Sequence, residues 1–323
     1  MRFVLESGRR IAVHFTRTRA IWPDPEGARN REHRLVVFCH SAPGAGIFDP
    51  DPVQTYASKV TLMAVDRPGY GRSDAVATGT WATVASAADD IASVLDSLDA
   101  GRVGVVGWSA GGRVALALAA RRPDLVDRVV VAATPAPDEE VAWIDPQQRR
   151  ELARLKRLAP ADAQAELAAR LGSLVPEDPF SGDALWLLAA VTSDEPALDA
   201  PGVRDRLGEM LRAAFAQGTT GVAADIAGYC LEPWGFEPEA VEARTLLLYG
   251  SHDPLAGPEH GRWWRERLPD AQLEVVQGAG HLVLIPMWHR VLSHLVSKQH
   301  RLRVLAGLAE PSSATEFEEF PAA

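Results

Sequence analysis

Three side chains in this sequence have the types and setting needed for nucleophilic catalysis, and each follows an apolar run. Ser109 stands in Gly107-Trp108-Ser109-Ala110-Gly111-Gly112, between the β-branched run Val103 to Val106 and a helical pattern that starts at Arg113. A strand that turns at once into a helix forces the residue at the turn into a strained backbone, and glycines two before and two after it keep the neighbouring turns from clashing. The hydroxyl is thereby lifted clear of the sheet. A serine hydroxyl is a weak nucleophile at neutral pH and needs a base. His281, in Gly278-Ala279-Gly280-His281, can take its proton and later return it to a leaving group. Asp253, in Gly250-Ser251-His252-Asp253-Pro254, can orient the imidazole. His252, His260 and Asp138 are rivals among nine histidines and 43 acidic residues. Asp253 is preferred because Gly250 and Pro254 fix a tight turn around it, and His281 because nearby glycines free its loop to reach inward.

Acyl chemistry at a serine also needs donors for an oxyanion. The amide of Ala110 lies in the first turn of the helix, where unpaired N–H groups and the positive dipole end favour negative charge. A second donor is read from His40-Ser41-Ala42-Pro43-Gly44, directly after the apolar run Leu35 to Cys39. Proline and glycine enforce a bend there that can aim the amide of Ala42 at the space above Ser109; a plain turn is the alternative. Candidate pocket residues are Ser41, Trp108, Leu282, Trp186 and Phe215.

The elements that must position these loops alternate. Residues 2 to 5 and 10 to 15 read as a hairpin turned at Glu6-Ser7-Gly8-Arg9. Buried strands are predicted at Leu35 to Cys39, Val60 to Val65, Val103 to Val106, Arg128 to Ala133, Thr245 to Tyr249 and Gln272 to Val276. Helices are predicted at Thr83 to Leu98, behind Ser109 to Ala120, and around His260 to Leu268 and Pro286 to Val296. Strand and helix in alternation, with right-handed crossovers, make a doubly wound parallel sheet. In Asp66-Arg67-Pro68-Gly69-Tyr70-Gly71, Asp66 and Arg67 are expected to brace the turn.

Between 138 and 238 the alternation stops. Helical stretches at Gln147 to Leu171, Gly182 to Val191, Gly202 to Ala216 and Val222 to Cys230, punctuated by prolines, and no convincing strand, divide a sheet that resumes at Thr245. This is read as a helical insertion in a core formed by 1–137 and 239–309. Most of its large apolar residues, Trp143, Trp186, Leu187, Phe215, Tyr229, Trp234 and Phe236, are expected to form a small core of its own. Ile21 to Arg34 reads as a polar surface loop, and 310–323 as a disordered acidic tail.

Composition narrows the partners. With 323 residues, 47% hydrophobic and 24% charged, the chain can bury a sizeable core. A net charge of −10 disfavours nucleic acid and anionic membrane surfaces and leaves a small, neutral or weakly polar substrate. Cys39 and Cys230 belong to no paired framework or metal motif and read as reduced structural thiols. No cluster has metal-ligand spacing, so neither metal nor cofactor is expected. The charged start and the lack of a ~20-residue apolar run give a cytoplasmic expectation, as a monomer or homodimer.

Taken together, His-Ser-Ala-Pro-Gly at 40–44, Asp-Arg-Pro-Gly-Tyr-Gly-Arg-Ser at 66–73, Gly-Trp-Ser-Ala-Gly-Gly at 107–112, Gly-Ser-His-Asp-Pro at 250–254 and Gly-Ala-Gly-His at 278–281 resemble the α/β-hydrolase fold family, in the subgroup with a helical cap. The resemblance spans roughly residues 1 to 297. It implies an eight-stranded, mostly parallel sheet covered by helices on both faces, a Ser109/Asp253/His281 triad, oxyanion amides at Ala42 and Ala110, and a cis Ala42-Pro43 bond. It further implies a serine hydrolase that forms an acyl-enzyme on a small or medium ester or related acyl compound. Serine rather than aspartate at 109 disfavours the epoxide-hydrolase and haloalkane-dehalogenase members. Carbon–carbon bond hydrolases, peptidases and cofactor-free haloperoxidases share the triad, and a low-turnover small-molecule sensor is the reading from another class. The family usually has glycine where Ser41 stands; a side chain there either narrows the oxyanion site or donates a hydrogen bond.

Overall fold

The computed structural model describes residues 1–16 and 33–296. The predicted loop from Ile21 to Arg34 lies almost wholly outside the described residues, and the predicted acidic tail entirely so. Strands β1 (Arg2–Val4), β2 (Arg10–Phe15), β3 (Arg34–Cys39), β4 (Val60–Val65), β5 (Val103–Trp108), β6 (Val126–Ala132), β7 (Ala216–Thr219), β8 (Arg244–Gly250) and β9 (Ala271–Val276) alternate with helices from β3 onward. All but β7 join one eight-stranded sheet in the order β1-β2-β4-β3-β5-β6-β8-β9. The β1–β2 and β2–β4 pairs are antiparallel and the remaining pairs parallel. Gly8 supplies the positive φ of 81° that turns the first hairpin.

The central strands are apolar along the stretches where both faces are covered, with charged residues only at their starts. Along β3, Val36 and Phe38 point into one cluster with Val106, Trp108, Leu246 and Leu248. Val37 and Cys39 alternate into the other with Val105, Val129, Val131, Leu247 and Tyr249. Helices α2 (Val84–Ser97), α3 (Ala110–Arg121) and α9 (Pro258–Arg267) cover the second face, and α10 (Trp288–Leu295) the first. Helix α2 begins where Thr83 accepts a hydrogen bond from the amide of Ser86. A further helix, α1 (Pro52–Ala57), is not among the predicted elements; at six residues it is too short for a helical period to show.

Between β6 and β8 the chain is chiefly helical, with α4 (Pro146–Leu155), α5 (Pro160–Arg170), α6 (Glu195–Leu198), α7 (Val203–Ala214), α8 (Thr220–Cys230) and 3₁₀ turns at Leu171–Leu174, Gly182–Leu188 and Thr192–Asp194. Three details differ from expectation. The helix predicted over Gln147 to Leu171 is two helices, because Pro160 lacks the N–H that would continue the ladder and instead opens α5. Four residues, Ala216–Thr219, are extended where no strand is predicted. The segment also has little core of its own: Leu155, Ala163, Leu167, Ala223, Ala227 and Leu231 form one small cluster. Its larger apolar residues join the sheet's clusters instead, Phe215 on one face and Tyr229, Trp234 and Phe236 on the other. The buried guanidinium of Arg113 on α3 explains much of this fusion, lying 4.4 Å from the ring centre of Trp234, 5.4 Å from that of Trp143 and 5.9 Å from that of Tyr229.

Candidate active site

Ser109 sits between β5 and α3 with φ 54° and ψ −123°, a left-side backbone that costs a residue with a Cβ about 1–3 kcal/mol. The surroundings enforce it. A side chain at Gly107 would strike the Gly111 carbonyl, and one at Gly111 would strike that of Cys39, so only glycine lets the strand and helix close on one another. The Ser109 amide donates to Ala132 on β6 at 2.8 Å, and its carbonyl accepts from the Thr134 hydroxyl at 2.8 Å.

His281 Nε2 lies 3.0 Å from Ser109 Oγ, and its Nδ1 lies 2.8 Å from Asp253 Oδ2. All three are buried, Ser109 at 6%, His281 at 2% and Asp253 at 8% exposure. Asp253 Oδ2 can only accept, so Nδ1 carries the proton and Nε2 faces the serine with its lone pair. The other Asp253 oxygen accepts the amides of Leu255 at 2.8 Å and Ala256 at 3.0 Å. Burial alone would raise the Asp253 pKa, but the charge and hydrogen bond of His281 and these two amides outweigh it and hold the carboxyl below its ordinary value. The rivals lie elsewhere. His260 Nδ1 accepts the Ala136 amide, Asp138 pairs with Arg149 and accepts the amides of Trp143 and Ile144, and His252 is exposed.

Ala110 opens α3, so its N–H has no intrahelical acceptor. The Ala42-Pro43 bond is cis, and Ala42 lines a cavity with Ser41, Trp108, Ser109, Leu187, Leu188, Ala189, Leu255 and His281. Its volume is about 20 Å³, room for about one water. Ser41 Oγ donates to the Pro43 carbonyl at 2.7 Å, which commits its single proton within the loop. Of the predicted pocket residues, Ser41 and Trp108 line the cavity, whereas Trp186, Phe215 and Leu282 do not. Trp186 is 59% exposed, and its neighbours Leu187 and Leu188 face inward instead. Phe215 and Leu282 are buried in the core behind.

The loop after β3 is held from below. Arg67, 4% exposed, donates to the carbonyls of His40 at 2.6 Å and Ser41 at 2.8 Å. Its guanidinium also grips Asp225 of α8 through three bonds of 2.7–3.2 Å. Its bracing therefore extends beyond its own turn. Asp66 does brace its own turn, accepting the Arg72 amide at 3.4 Å, and it also accepts the Gly46 amide at 2.7 Å and lies 2.9 Å from His14 Nε2. Sequence reasoning does not single out Asp225, nor Asp194, whose carboxylate accepts the amides of Gly280 and Leu282 on either side of His281. The Cys39 thiol is pushed up to about 12 by burial, which keeps it protonated and inert.

A family model described as "alpha/beta hydrolase fold" matches residues 34–286, the span that holds Ser109, Asp253 and His281. The chain belongs to the α/β hydrolase fold family. Among curated proteins, this α/β hydrolase is 27% identical over 263 residues to a putative carbamate hydrolase, RutD, of Caulobacter sp. strain K31, covering 81% of this chain and 88% of the relative. It is 29% identical over 230 residues to the pimeloyl-(acyl-carrier protein) methyl ester esterase of Chromobacterium violaceum, covering 70% of this chain and 78% of the relative. Among solved structures, a thermophilic esterase from Thermogutta terrifontis superposes with a TM-score of 0.63 at 21% identity, covering 94% of this chain and 98% of that one. At that identity the likeness is one of fold. The α/β hydrolase has no described helix long and apolar enough to cross a membrane.

Proposed function

We propose that this α/β hydrolase is a serine esterase that cleaves a small or medium, fairly apolar carboxylic ester or related acyl compound through an acyl-enzyme. The observation that carries the reading is the unbroken chain from Asp253 through His281 to Ser109, at 2.8 and 3.0 Å, built on a strained turn. Nε2 accepts the Ser109 proton as Oγ attacks the acyl carbon. The oxyanion that forms is taken by the amides of Ala42 and Ala110, each donor contributing on the order of 10²-fold in rate. Collapse of the intermediate expels the alcohol, which receives the proton from Nε2. A water deprotonated by the same nitrogen then attacks the acyl-serine, and the returning proton restores Oγ–H. Asp253 holds the imidazole in the tautomer that each step requires.

In this reading 138–238 is a cap over a core of 1–137 and 239–309, and Leu187, Leu188 and Ala189 form the roof of the acyl site. Two relatives named for carbamate and methyl ester hydrolysis support an acyl–heteroatom bond as the target. The test is fluorophosphonate labelling of wild type and Ser109→Ala, followed by esters of graded acyl length. Labelling confined to wild type, with turnover lost by about 10⁶-fold in Ser109→Ala, is expected. Labelling of wild type without turnover on any ester would overturn the esterase in favour of a binding protein.

A further inference from the structure

The side chain of Asp194 reaches the histidine loop from the helical segment between β6 and β8. It is 2% exposed, and among the described residues its carboxylate accepts hydrogen bonds from backbone amides only. Oδ1 accepts from Gly280 at 3.0 Å and from Leu282 at 3.2 Å, the residues on either side of His281, while Oδ2 accepts from Val191 at 3.1 Å. A Cβ at Gly280 would collide with this carboxylate, so the glycine is there to let Asp194 approach. One carboxylate oxygen thus spans the histidine's own peptide from both ends. Asp194 makes no hydrogen bond to the imidazole, whose nitrogens are taken by Asp253 and Ser109. It also belongs to the stretch 187 to 194 that supplies the cavity's roof residues Leu187, Leu188 and Ala189.

We infer that Asp194 is a positioning residue for the reaction proposed above: it fixes the main chain of His281 so that Nε2 meets Ser109 Oγ, and it ties that geometry to the roof of the acyl site. The inference rests on the esterase reading. A carboxylate is suited to the task because charge-assisted bonds from two amides are short and directional, and a buried carboxylate left without them would be costly. The roof and the base therefore share one anchor. A loop freed by about 1 Å is enough to cost on the order of 10²-fold in rate without altering how the substrate is held.

The experiment compares wild type, Asp194→Ala and Asp194→Asn for the rate constant of fluorophosphonate labelling at Ser109, for kcat and KM on the best ester, and for melting temperature. Asp194→Ala is expected to lower labelling and kcat together by about 10²-fold, with KM changed less than about threefold. Asp194→Asn keeps a carbonyl oxygen for Gly280 and Leu282, loses only the acceptor for the Val191 amide, and is expected to stay within about threefold of wild type in labelling. If Asp194→Ala does not fold, Asp194→Ser, whose hydroxyl falls short of both amides, replaces it in the comparison. Equal labelling rates for wild type and the truncated variant would overturn the inference, as would Asp194→Asn being as impaired as the truncation. Failure of wild type to label at all is a distinct result that removes the esterase reading, and this inference with it.

Discussion

The indole N–H of Trp108 donates to the carbonyl oxygen of His281 at 3.1 Å, joining the residue before Ser109 to the residue proposed as its base. Trp108 is fully buried, stacked at a tilt on Phe48 at 5.7 Å, and cannot swing away. Trp108→Phe would leave that carbonyl buried and unpaired, at about 1–3 kcal/mol, and open space beside it. We expect a lower melting temperature and a kcat reduced about ten- to a hundredfold with KM nearly unchanged. Steady-state kinetics alongside calorimetry check this; a KM effect without a kcat effect would show that the indole serves the pocket and not the histidine.

Arg67 and Asp225 form a buried pair across the boundary between the sheet and the helical segment. Removing one partner strands the other charge, so Asp225→Ala should cost about 3–5 kcal/mol. Replacing both, as in Arg67→Met with Asp225→Leu, should recover part of that stability, because no charge is then left unpaired although the His40 and Ser41 carbonyls lose their Arg67 donor. Activity should not return with it. The His40 carbonyl loses its Arg67 donor in the double variant, and the loop carrying Ala42 is freed. Unfolding curves and kcat measured on the same preparations separate the two effects.

The frame of this site is legible in the sequence because its signals are local. Glycines at 107 and 111 mark a strand and helix in contact, and apolar runs followed by Gly, Pro and Asp mark strand ends facing one edge. The tethers are not legible. Asp194 and Asp225 act on residues 86 to 158 positions away, and nothing around them separates them from the other acidic residues. Trp186 shows a different limit. Its apolar type does not say which side of the segment it takes, and in the 3₁₀ turn Gly182–Leu188 it faces outward while Leu187 and Leu188 line the cavity. Phe215 and Tyr229 are rightly apolar and buried, but which body buries them depends on contacts that no periodicity contains.

Asp49 should make stability depend on pH in the direction opposite to a salt-bridged carboxylate. Burial raises its pKa to about 6, although the hydroxyl of Thr55 and the amide of Asp51 donate to it. A folded-state pKa above the unfolded value of about 3.9 means that the native chain holds the proton more tightly. Its contribution is complete below the unfolded pKa and is lost as pH rises to about 6. Asp49→Asn keeps an acceptor for Thr55 and carries no charge. It should therefore stabilise the protein by up to about 3 kcal/mol at pH 8 and change little at pH 4. Melting temperatures of the two proteins across that interval test it, and a difference that grows toward acid would refute it.

Ser41 has two possible roles for a side chain beside the proposed reacting centre. Its hydroxyl is an acceptor-bound donor already, with its proton on the Pro43 carbonyl, so it has none to offer a developing oxyanion. What it contributes is bulk in a cavity of about 20 Å³ and one hydrogen bond within the loop. Were it an oxyanion donor, Ser41→Ala would lower kcat by about 10²-fold or more. The geometry instead predicts a loss below about tenfold, of the size expected for one neutral hydrogen bond, at about 1 kcal/mol. Ser41→Gly should go further in one respect, relieving the crowding over Ser109, so that esters with larger acyl groups gain kcat/KM relative to acetate. A panel of acyl lengths run on wild type and both variants measures this directly, and an equal loss on every ester would return Ser41 to the role of donor.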